Sequence, residues 1–231
     1  MASGRWFETE HVKNWDDNPN KLNPVRGEQL DMLVKIATAS WQPGDRVIDL
    51  AAGTGHVLEM LLAALPLAQA TAVDYSPVVL RHANKRLAKH VSQLEFVEHD
   101  LNEPIIPKLD AASFAIAISV QSFHHFNDDD RQRQLSDIYD LLKPGGVFLV
   151  HDRFAVADPV LLRDYQALWQ RLGGIHGLEL PDEPLPPASG EPGERAADLP
   201  WFLAQLAAFG FVAAPFALHG TRALITARKP L

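Results

Sequence analysis

The sequence contains no cysteine among its 231 residues. This absence excludes disulfide bonds, thiolate zinc sites, iron–sulfur clusters and any mechanism that needs a cysteine nucleophile, and it is compatible with a reducing compartment. Met1–Glu10 has no apolar core of the kind that a secretory signal needs. Phe202–Leu218, the longest apolar stretch, is interrupted and too short to span a bilayer. We therefore expect a soluble, cytoplasmic protein that does not bind a membrane.

Basic residues are too few for a nucleic-acid-binding surface. The chain has 21 Lys and Arg against 29 Asp and Glu, giving a net charge of −8 and a pI near 5.6. Such a protein repels a phosphate backbone. The densest basic stretch, Arg81–Lys89, has the spacing of one solvated helix face. We expect no nucleic-acid partner, and the length favours a single domain.

Short apolar segments alternate with segments of helical periodicity from Arg46 onwards. The pattern predicts strands at Arg46–Leu50, Ala70–Asp74, Gln93–Glu98, Ser113–Val120 and Val147–Val150. It predicts helices at Val57–Leu65, from Pro77 to about Lys89 with Ser76 as the cap, and at Asp128–Leu142, followed by a turn at Lys143–Gly146. This alternation is typical of an α/β protein with a parallel sheet and helices on both faces.

The pattern changes towards the C-terminus. A helix is predicted at Pro200–Phe209, followed by strands at Phe211–Leu218 and Thr221–Arg228. The two-residue connection between these strands is too short for a parallel crossover, so they are predicted to pair antiparallel. Two regions lie outside the sheet. Residues 1–43 are predicted to form an N-terminal helical cap, and residues 152–200 a lid insertion that includes the proline-rich, mobile loop Pro181–Glu194.

A glycine-containing junction follows the first predicted strand, in the sequence from Asp49 to Gly55. Glycines let a backbone approach a ligand closely, and the helix that begins here offers free N–H groups. Asp74 ends the second predicted strand, where a carboxylate can accept hydrogen bonds from the vicinal hydroxyls of a ribose. Together these residues predict a nucleoside site. Leu58 is too bulky for the third small position of a dinucleotide motif.

The chain resembles the class I S-adenosylmethionine-dependent methyltransferases from about Gly44 to its C-terminus. Asp49–Gly55 is similar to the first motif of that family, with Ala51 in place of its first glycine. Glu98–Leu101 resembles the segment after the third strand, and Leu142–Gly146 resembles the turn before the fifth. We expect Ala51 to cause a slight geometric adjustment and no loss of binding.

This resemblance implies a Rossmann-like, doubly wound sheet of seven strands in the order 3-2-1-4-5-7-6, with the last strand antiparallel. It implies residues 44–151 as the cofactor-binding half and residues 201–231 as a C-terminal helix and strand pair. The implied cofactor is S-adenosyl-L-methionine, which leaves as S-adenosyl-L-homocysteine. The residues expected to contact it are Asp49, Ala51, Gly53, Gly55, Asp74, Tyr75, Asp100, Leu101, Ser119 and Val120. Arg26 either pairs with its carboxylate or is a surface arginine.

Three histidines are candidate catalytic residues, because an imidazole titrates near neutral pH. They are His124, His125 and His151, after the fourth and fifth predicted strands. Alternatively, His124 and His125 pack against and cap the next helix. Asn127–Asp130 stands at a helix start, so it is predicted to cap that helix, and no metal site is expected.

The expected methyl acceptor is an oxygen or nitrogen of a small, partly apolar molecule. Without cysteine, methylation of cytosine at carbon 5 is excluded. Ser119–Ser122 also lacks the Asp/Asn-Pro-Pro-Tyr/Phe motif of enzymes that methylate amino groups of nucleic acids. The chain is expected to be a monomer or homodimer. Two alternatives stay open: another reaction of the same cofactor, by sulfonium cleavage or alkyl transfer, and a non-catalytic cofactor-binding protein.

Overall fold

The computed structural model describes residues 4–17, 23–106, 108–180 and 196–231. The predicted mobile loop Pro181–Glu194 therefore lies outside the described residues. The strands are β1 Arg46–Leu50, β2 Gln69–Asp74, β3 Leu94–Glu98, β4 Phe114–Val120, β5 Leu142–Ala155, β6 Ala197–Asp198, β7 Val212–His219 and β8 Arg222–Arg228.

The strands form a sheet in the order β3-β2-β1-β4-β5-β8-β7, and the short β6 pairs with the end of β5. The pairs from β3 to β5 are parallel, whereas β8 is antiparallel to both β5 and β7. Apart from the two-residue β6, which shifts the numbering, this is the predicted order with its antiparallel last strand. The predicted Rossmann-like fold is confirmed.

Helices connect these strands. They are α1 Thr9–Asp17, α2 Arg26–Ser40, α3 His56–Ala64, α4 Pro77–Arg86, α5 Asp128–Leu141, α6 Pro159–Ile175 and α7 Leu199–Ala208, with short 3-10 helices at Gly4–Phe7, Ala88–Gln93 and Phe123–His125. The hydroxyl of Ser76 accepts from the N–H of Val79 at 3.3 Å and caps α4 as predicted. Asn127 accepts from the N–H of Asp130 at 2.9 Å, which confirms that this polar run caps α5.

The sheet is buried on both faces because its central strands are continuously apolar. On one face, α5 and α7 cover residues such as Ile48, Ala117 and Phe148. On the other face, α2 and α3 cover Val47, Ile116, Ile118, Leu149 and Leu224. The helices leave the carboxyl ends of the parallel strands as the edge at which polar side chains converge.

The structure extends and corrects several predicted elements. Lys143–Gly146, predicted as a turn, lies inside β5, where the register with β4 shifts. The strand predicted at Val147–Val150 continues to Ala155 because β8 pairs with it as far as Arg153. The helix predicted to reach Lys89 ends at Arg86 and gives way to a 3-10 helix. The helices α1 and α6 and the strand β6 were not predicted.

Candidate functional site

The loop from Ala51 to Gly55 joins β1 to α3. Ala51, Gly53 and Gly55 have φ values of 61°, 56° and 80°. This left-handed region favours glycine, so Ala51 holds a strained conformation at the position where the resembled motif has glycine. A Cβ added to Gly53 would meet no atom within 4 Å, which leaves room for a ligand beside that backbone.

Asp74 fixes this loop from the end of β2. Its Oδ2 accepts the N–H of Gly53 and its Oδ1 accepts the N–H of Ser76, each at 3.0 Å. Burial raises the pKa of Asp74, although the backbone hydrogen bonds oppose this shift. Each carboxylate oxygen has two lone-pair directions, so both oxygens keep acceptor capacity. This geometry fits the predicted role toward two ribose hydroxyls.

Asp49 lies at the end of β1 with its side chain fully buried. Burial and the nearby charge of Asp74 raise the pKa of Asp49 to about 8. Within the part of the chain that the structure describes, its Oδ2 atom has no hydrogen-bond partner. A buried acceptor of this kind requires a donor. The ammonium group of the implied cofactor would supply one, so these residues fit that cofactor.

Tyr75, Asp100 and Leu101 lie beside Asp74. The backbone N–H of His99, which precedes Asp100, donates to the carbonyl of Asp74 at 3.0 Å. Burial, with the charges of Asp74 and Asp100, raises the pKa of Tyr75. Asp100 is exposed and accepts from the backbone and side chain of Asn102 at 2.9 and 2.6 Å. Leu101 is buried and lines a small cavity with Leu50. The structure therefore brings these predicted residues to one edge of the sheet.

Ser119 and Val120 end β4, next to β1. The hydroxyl of Ser119 donates to the carbonyl of Leu50 at 3.0 Å and is also bonded to the hydroxyl of Ser122. Val120 pairs with His151 across β4 and β5. Ser119 thus ties the end of β4 to the strand that carries the glycine loop, and the predicted contact residues of both strands are neighbours.

The N-terminal segment, predicted as part of a helical cap, lies across this edge. Asp16 of α1 accepts from the hydroxyl of Thr54 in the glycine loop at 2.5 Å. Both carboxylate oxygens of Asp16 also lie 2.7 Å from the Arg86 guanidinium. The hydroxyl of Ser76 donates to the carbonyl of Trp6 at 2.6 Å. These bonds hold residues 4–17 against the loop that carries the predicted cofactor contacts.

His124, in the 3-10 helix after β4, and Asp152, near the end of β5, form a buried pair. His124 Nδ1 lies 2.6 Å from Asp152 Oδ1, and both side chains are buried. Asp152 also accepts the backbone N–H groups of Ser122, Phe123 and Arg153 at 2.7–2.9 Å. Burial alone would raise the pKa of Asp152, but the charge and hydrogen bond of His124 and the backbone N–H of Arg153 hold it well below its usual range.

The His124–Asp152 pair leaves one imidazole nitrogen able to accept a proton. An anionic Asp152 keeps the proton of the neutral imidazole on Nδ1, so Nε2 is the nitrogen that can take a proton from another molecule. Asp152 was not predicted as a site residue. Its signal in the sequence was its position two residues after the strand predicted at Val147–Val150, next to the candidate residue His151.

The other two candidate histidines have different surroundings. His125 is half-buried, and its ring centroid lies 4.0 Å from that of His124. Burial, with the charges of Arg222 and Arg26, lowers the pKa of His151 to about 4, although Asp152 opposes this shift. His151 is therefore neutral at pH 7 and a weak base. The geometry favours His124 over His151 for proton transfer.

Arg26 is buried at the start of α2, with 4% of its surface exposed, so the alternative of a surface arginine is wrong. Its guanidinium lies 5.8 Å from the ring centroid of Trp15. Burial and the charges of Arg26 and Arg86 lower the pKa of His56, the first residue of α3. Trp15 is followed by Asp16, which bonds Thr54 of the glycine loop, so Arg26 lies beside the segment that covers this loop.

The described residues contain no group of three or more His, Asp or Glu arranged to hold a metal ion. In the same residues, no helix combines the length and apolar character needed to cross a membrane.

Residues 47–146 match the family model of a methyltransferase domain. A demethylmenaquinone methyltransferase of Clavibacter sepedonicus is 30% identical over 156 residues, which cover 68% of this chain and 60% of that protein. The chain spans between 51% and 61% of the length of the first three curated relatives that it matches.

Two solved structures are similar in fold. An O-methyltransferase family protein from Burkholderia thailandensis superposes with a TM-score of 0.71 at 17% identity, over 98% of this chain and 61% of that chain. Human N-acetylserotonin methyltransferase in complex with S-adenosylmethionine has a TM-score of 0.57 at 19% identity, over 98% and 56% of the two chains. At these sequence identities, the similarity shows a shared fold.

Proposed function

Because the chain belongs to the class I S-adenosylmethionine-dependent methyltransferases, we propose that it transfers a methyl group to a hydroxyl oxygen of a small molecule. The observation that carries this proposal is the buried His124–Asp152 pair. A hydroxyl must lose its proton to become a good nucleophile, whereas a neutral amine attacks with its lone pair. A carboxylate-oriented imidazole therefore favours oxygen over nitrogen.

The residues around the glycine loop would hold the cofactor. Asp74 would accept from the ribose hydroxyls, Asp49 from the ammonium and Arg26 would pair with the carboxylate. Asp100 would contact the adenine amino group, as the family resemblance implies. When bound, the cofactor supplies a methyl group on a sulfonium, which is already an activated leaving group. The protein is then left to position and desolvate the acceptor.

His124 would act as the general base through Nε2. Asp152 holds the ring in the required tautomer and stabilises the imidazolium that forms, while the buried position of the pair keeps water from competing for the proton. General-base catalysis of this kind contributes about 10²–10⁴-fold to a rate. His125 and His151, at the same edge of the sheet, would line the acceptor side.

Methylation of a carbon is a second candidate, since the Clavibacter sepedonicus relative is named a demethylmenaquinone methyltransferase. A phenol that loses its proton becomes a nucleophile at oxygen and at ring carbons, so the same base would serve both outcomes. The site of methylation in the product separates them.

The test is a screen of phenols, alcohols and amines with S-adenosylmethionine, measuring S-adenosylhomocysteine and locating the new methyl group by NMR. We expect O-methyl products and a loss of turnover of about 10²-fold or more in His124→Ala. His90→Ala is the matched control, because His90 lies at the opposite end of the sheet from His124. His90 bonds Gln93, and Gln93 donates to the carbonyls of Pro66 and Ala68, which precede the start of β2.

Three results would count against the proposal. Exclusive N-methylation with an unaffected His124→Ala variant would contradict the assigned base. Release of a cleaved cofactor without a methylated acceptor would indicate a different reaction of the sulfonium. Tight binding of S-adenosylhomocysteine with no turnover on any acceptor class would favour a non-catalytic binding protein.

A further inference from the structure

Helix α6 carries an exposed apolar stripe along one side. Leu161, Leu168 and Ile175 are 51%, 59% and 72% exposed. The half-buried Tyr165 and Leu172 lie between them, so the stripe advances by four, three, four and three residues along the helix. This spacing is that of the a and d positions of a coiled coil, with Leu161, Leu168 and Ile175 at d. We call these five residues the α6 seam.

The α6 seam lies beside the face by which α6 packs on its own chain. That inner face consists of Leu162, Trp169 and Gly173, which are buried, and Trp169 packs there in one cluster with Val25. An α-helix has 3.6 residues per turn, so the middle of the seam is turned by roughly 100° from the middle of the inner face. The inner face therefore holds the helix in place while the seam is directed sideways.

The two edges of the α6 seam differ, and this difference selects the orientation of a partner helix. The g positions at the outer edge are Asp164 and Arg171, both exposed. The e positions at the inner edge are Leu162 and Trp169, both buried in the protein. A parallel partner helix would have to contact g and e positions, whereas an antiparallel partner pairs g with g. Only the antiparallel arrangement uses the edge that is exposed.

A second copy of the α6 seam matches the first in this antiparallel orientation. When Leu161 of one copy is aligned with Leu172 of the other, Tyr165 is aligned with Leu168. A two-fold axis repeats both contacts, because each residue of such an interface meets its partner twice. Four apolar layers form, and each joins an a position to a d position.

The charges at the outer edge are complementary in the same alignment. Asp164 of each copy comes next to Arg171 of the other copy, which gives two ion pairs across the two-fold axis. Within one copy these residues are two turns apart, about 10 Å along the helix, so they do not pair with each other. A lipid surface fits this face less well, because helices that lie on membranes carry Lys and Arg beside the apolar face. Here Asp164 stands beside the seam, and the net charge of the chain is −8.

We propose that two copies of this chain associate through the α6 seam, as an antiparallel pair of helices related by a two-fold axis. The chain would then be a homodimer, one of the two states that the sequence left open. This association is independent of the proposed function. Because a seam of four layers is short, we expect an equilibrium between monomer and dimer in the micromolar range of protein concentration.

Sedimentation velocity at increasing protein concentration tests this association. Leu168→Glu places a charge in the middle of the seam and should raise the dissociation constant of the dimer by about tenfold or more. Leu67→Glu is the matched control, because Leu67 is also an exposed leucine, at 72%, and lies between α3 and β2. The wild type and Leu67→Glu should dimerise alike. A wild type that stays monomeric throughout, or a dimer that Leu168→Glu leaves intact, would overturn the inference.

A charge exchange keeps the test decisive if Leu168→Glu does not fold. Asp164→Arg alone and Arg171→Asp alone each place like charges opposite one another, so each should weaken the dimer by about fivefold. The double variant Asp164→Arg/Arg171→Asp should recover the affinity of the wild type. Both residues are exposed, so these variants should fold as the wild type does, which circular dichroism checks. Failure of the double variant to recover the affinity would contradict the antiparallel alignment.

The absence of cysteine permits a direct test of the same alignment. Under oxidation, Leu161→Cys/Leu172→Cys should form a disulfide-linked dimer, because the alignment brings these two positions opposite one another. Neither single variant should do so, since each position lies about 16 Å along the helices from its own equivalent. Cross-linking of Leu161→Cys alone would indicate a parallel pair and overturn the inference. Monomers that cosediment with phosphatidylcholine vesicles would assign the seam to a lipid surface and also overturn it.

Discussion

Replacing Asp152 with asparagine tests the structural and chemical roles of one carboxylate together. Oδ1 accepts from His124 and from the N–H of Arg153, while Oδ2 accepts from the N–H groups of Ser122 and Phe123. Asparagine keeps the shape but turns one oxygen into an NH₂ donor. In either orientation of the amide, its NH₂ group faces N–H donors, either those of Ser122 and Phe123 or those of His124 and Arg153. The negative charge opposite His124 is also lost.

The expected loss of stability is large, because the pair is buried. Leaving a buried donor without its acceptor costs about 1–3 kcal/mol, and more where the lost acceptor is charged. The pKa of Asp152 is depressed in the folded state, so its contribution is complete above the unfolded pKa of about 3.9 and is lost as the pH falls through the lower folded pKa. The contribution of Asp152 to the difference between wild type and Asp152→Asn should therefore shrink as the pH falls below about 4.

Turnover should fall by about 10²–10⁴-fold, because His124 loses the bond that fixes its tautomer. Urea denaturation at several pH values measures the stability, and S-adenosylhomocysteine production measures the turnover at a temperature where the variant is folded. His124→Gln is the comparison, since it removes the base and leaves Asp152 in place. A variant Asp152→Asn that unfolds like the wild type, or that keeps full turnover while folded, would refute the assigned role of the pair.

Three further predictions concern the residues proposed to hold the cofactor. Asp74→Ala should weaken S-adenosylmethionine binding by roughly 1.5–3 kcal/mol through loss of a charged acceptor, and unchanged affinity by calorimetry would contradict the ribose assignment. Ala51→Gly should raise the free energy of unfolding by up to about 1 kcal/mol, because glycine adopts a φ of 61° without strain, and a lower melting temperature would show that the strain is absent. Because Leu58 blocks a dinucleotide motif, S-adenosylhomocysteine should raise the melting temperature and NAD should not; the reverse would overturn the choice of cofactor.

The sequence was sufficient for the features that depend on local pattern. The bounds of β1, the cap at Ser76 and the place of Asp74 at the end of β2 follow from apolar runs and from residues adjacent in the chain. The strand order was implied by the family resemblance and is confirmed.

Features built by contacts between distant segments were not predicted. The partner of His124 is 28 residues away, and no local pattern links a histidine to an aspartate at that distance. Likewise, β5 extends past Val150 because the antiparallel β8 supplies a partner, and α1 has few apolar residues to mark it as a docked helix. Tertiary pairing, rather than propensity, decides these elements.

Asp16 holds α1 against the glycine loop through its bonds to Thr54 and Arg86. The helix α1 is thus a segment of the chain bound to the site proposed for the cofactor. A tethered segment re-docks at an effective concentration of the order of millimolar, so if the cofactor enters only while α1 is displaced, its apparent affinity is reduced in proportion to the fraction of chains in which α1 is displaced. Salt screens the Asp16–Arg86 pair and increases that fraction. Association of the cationic cofactor should then accelerate with ionic strength, the reverse of the slowing that the net charge of −8 would cause through screened attraction alone.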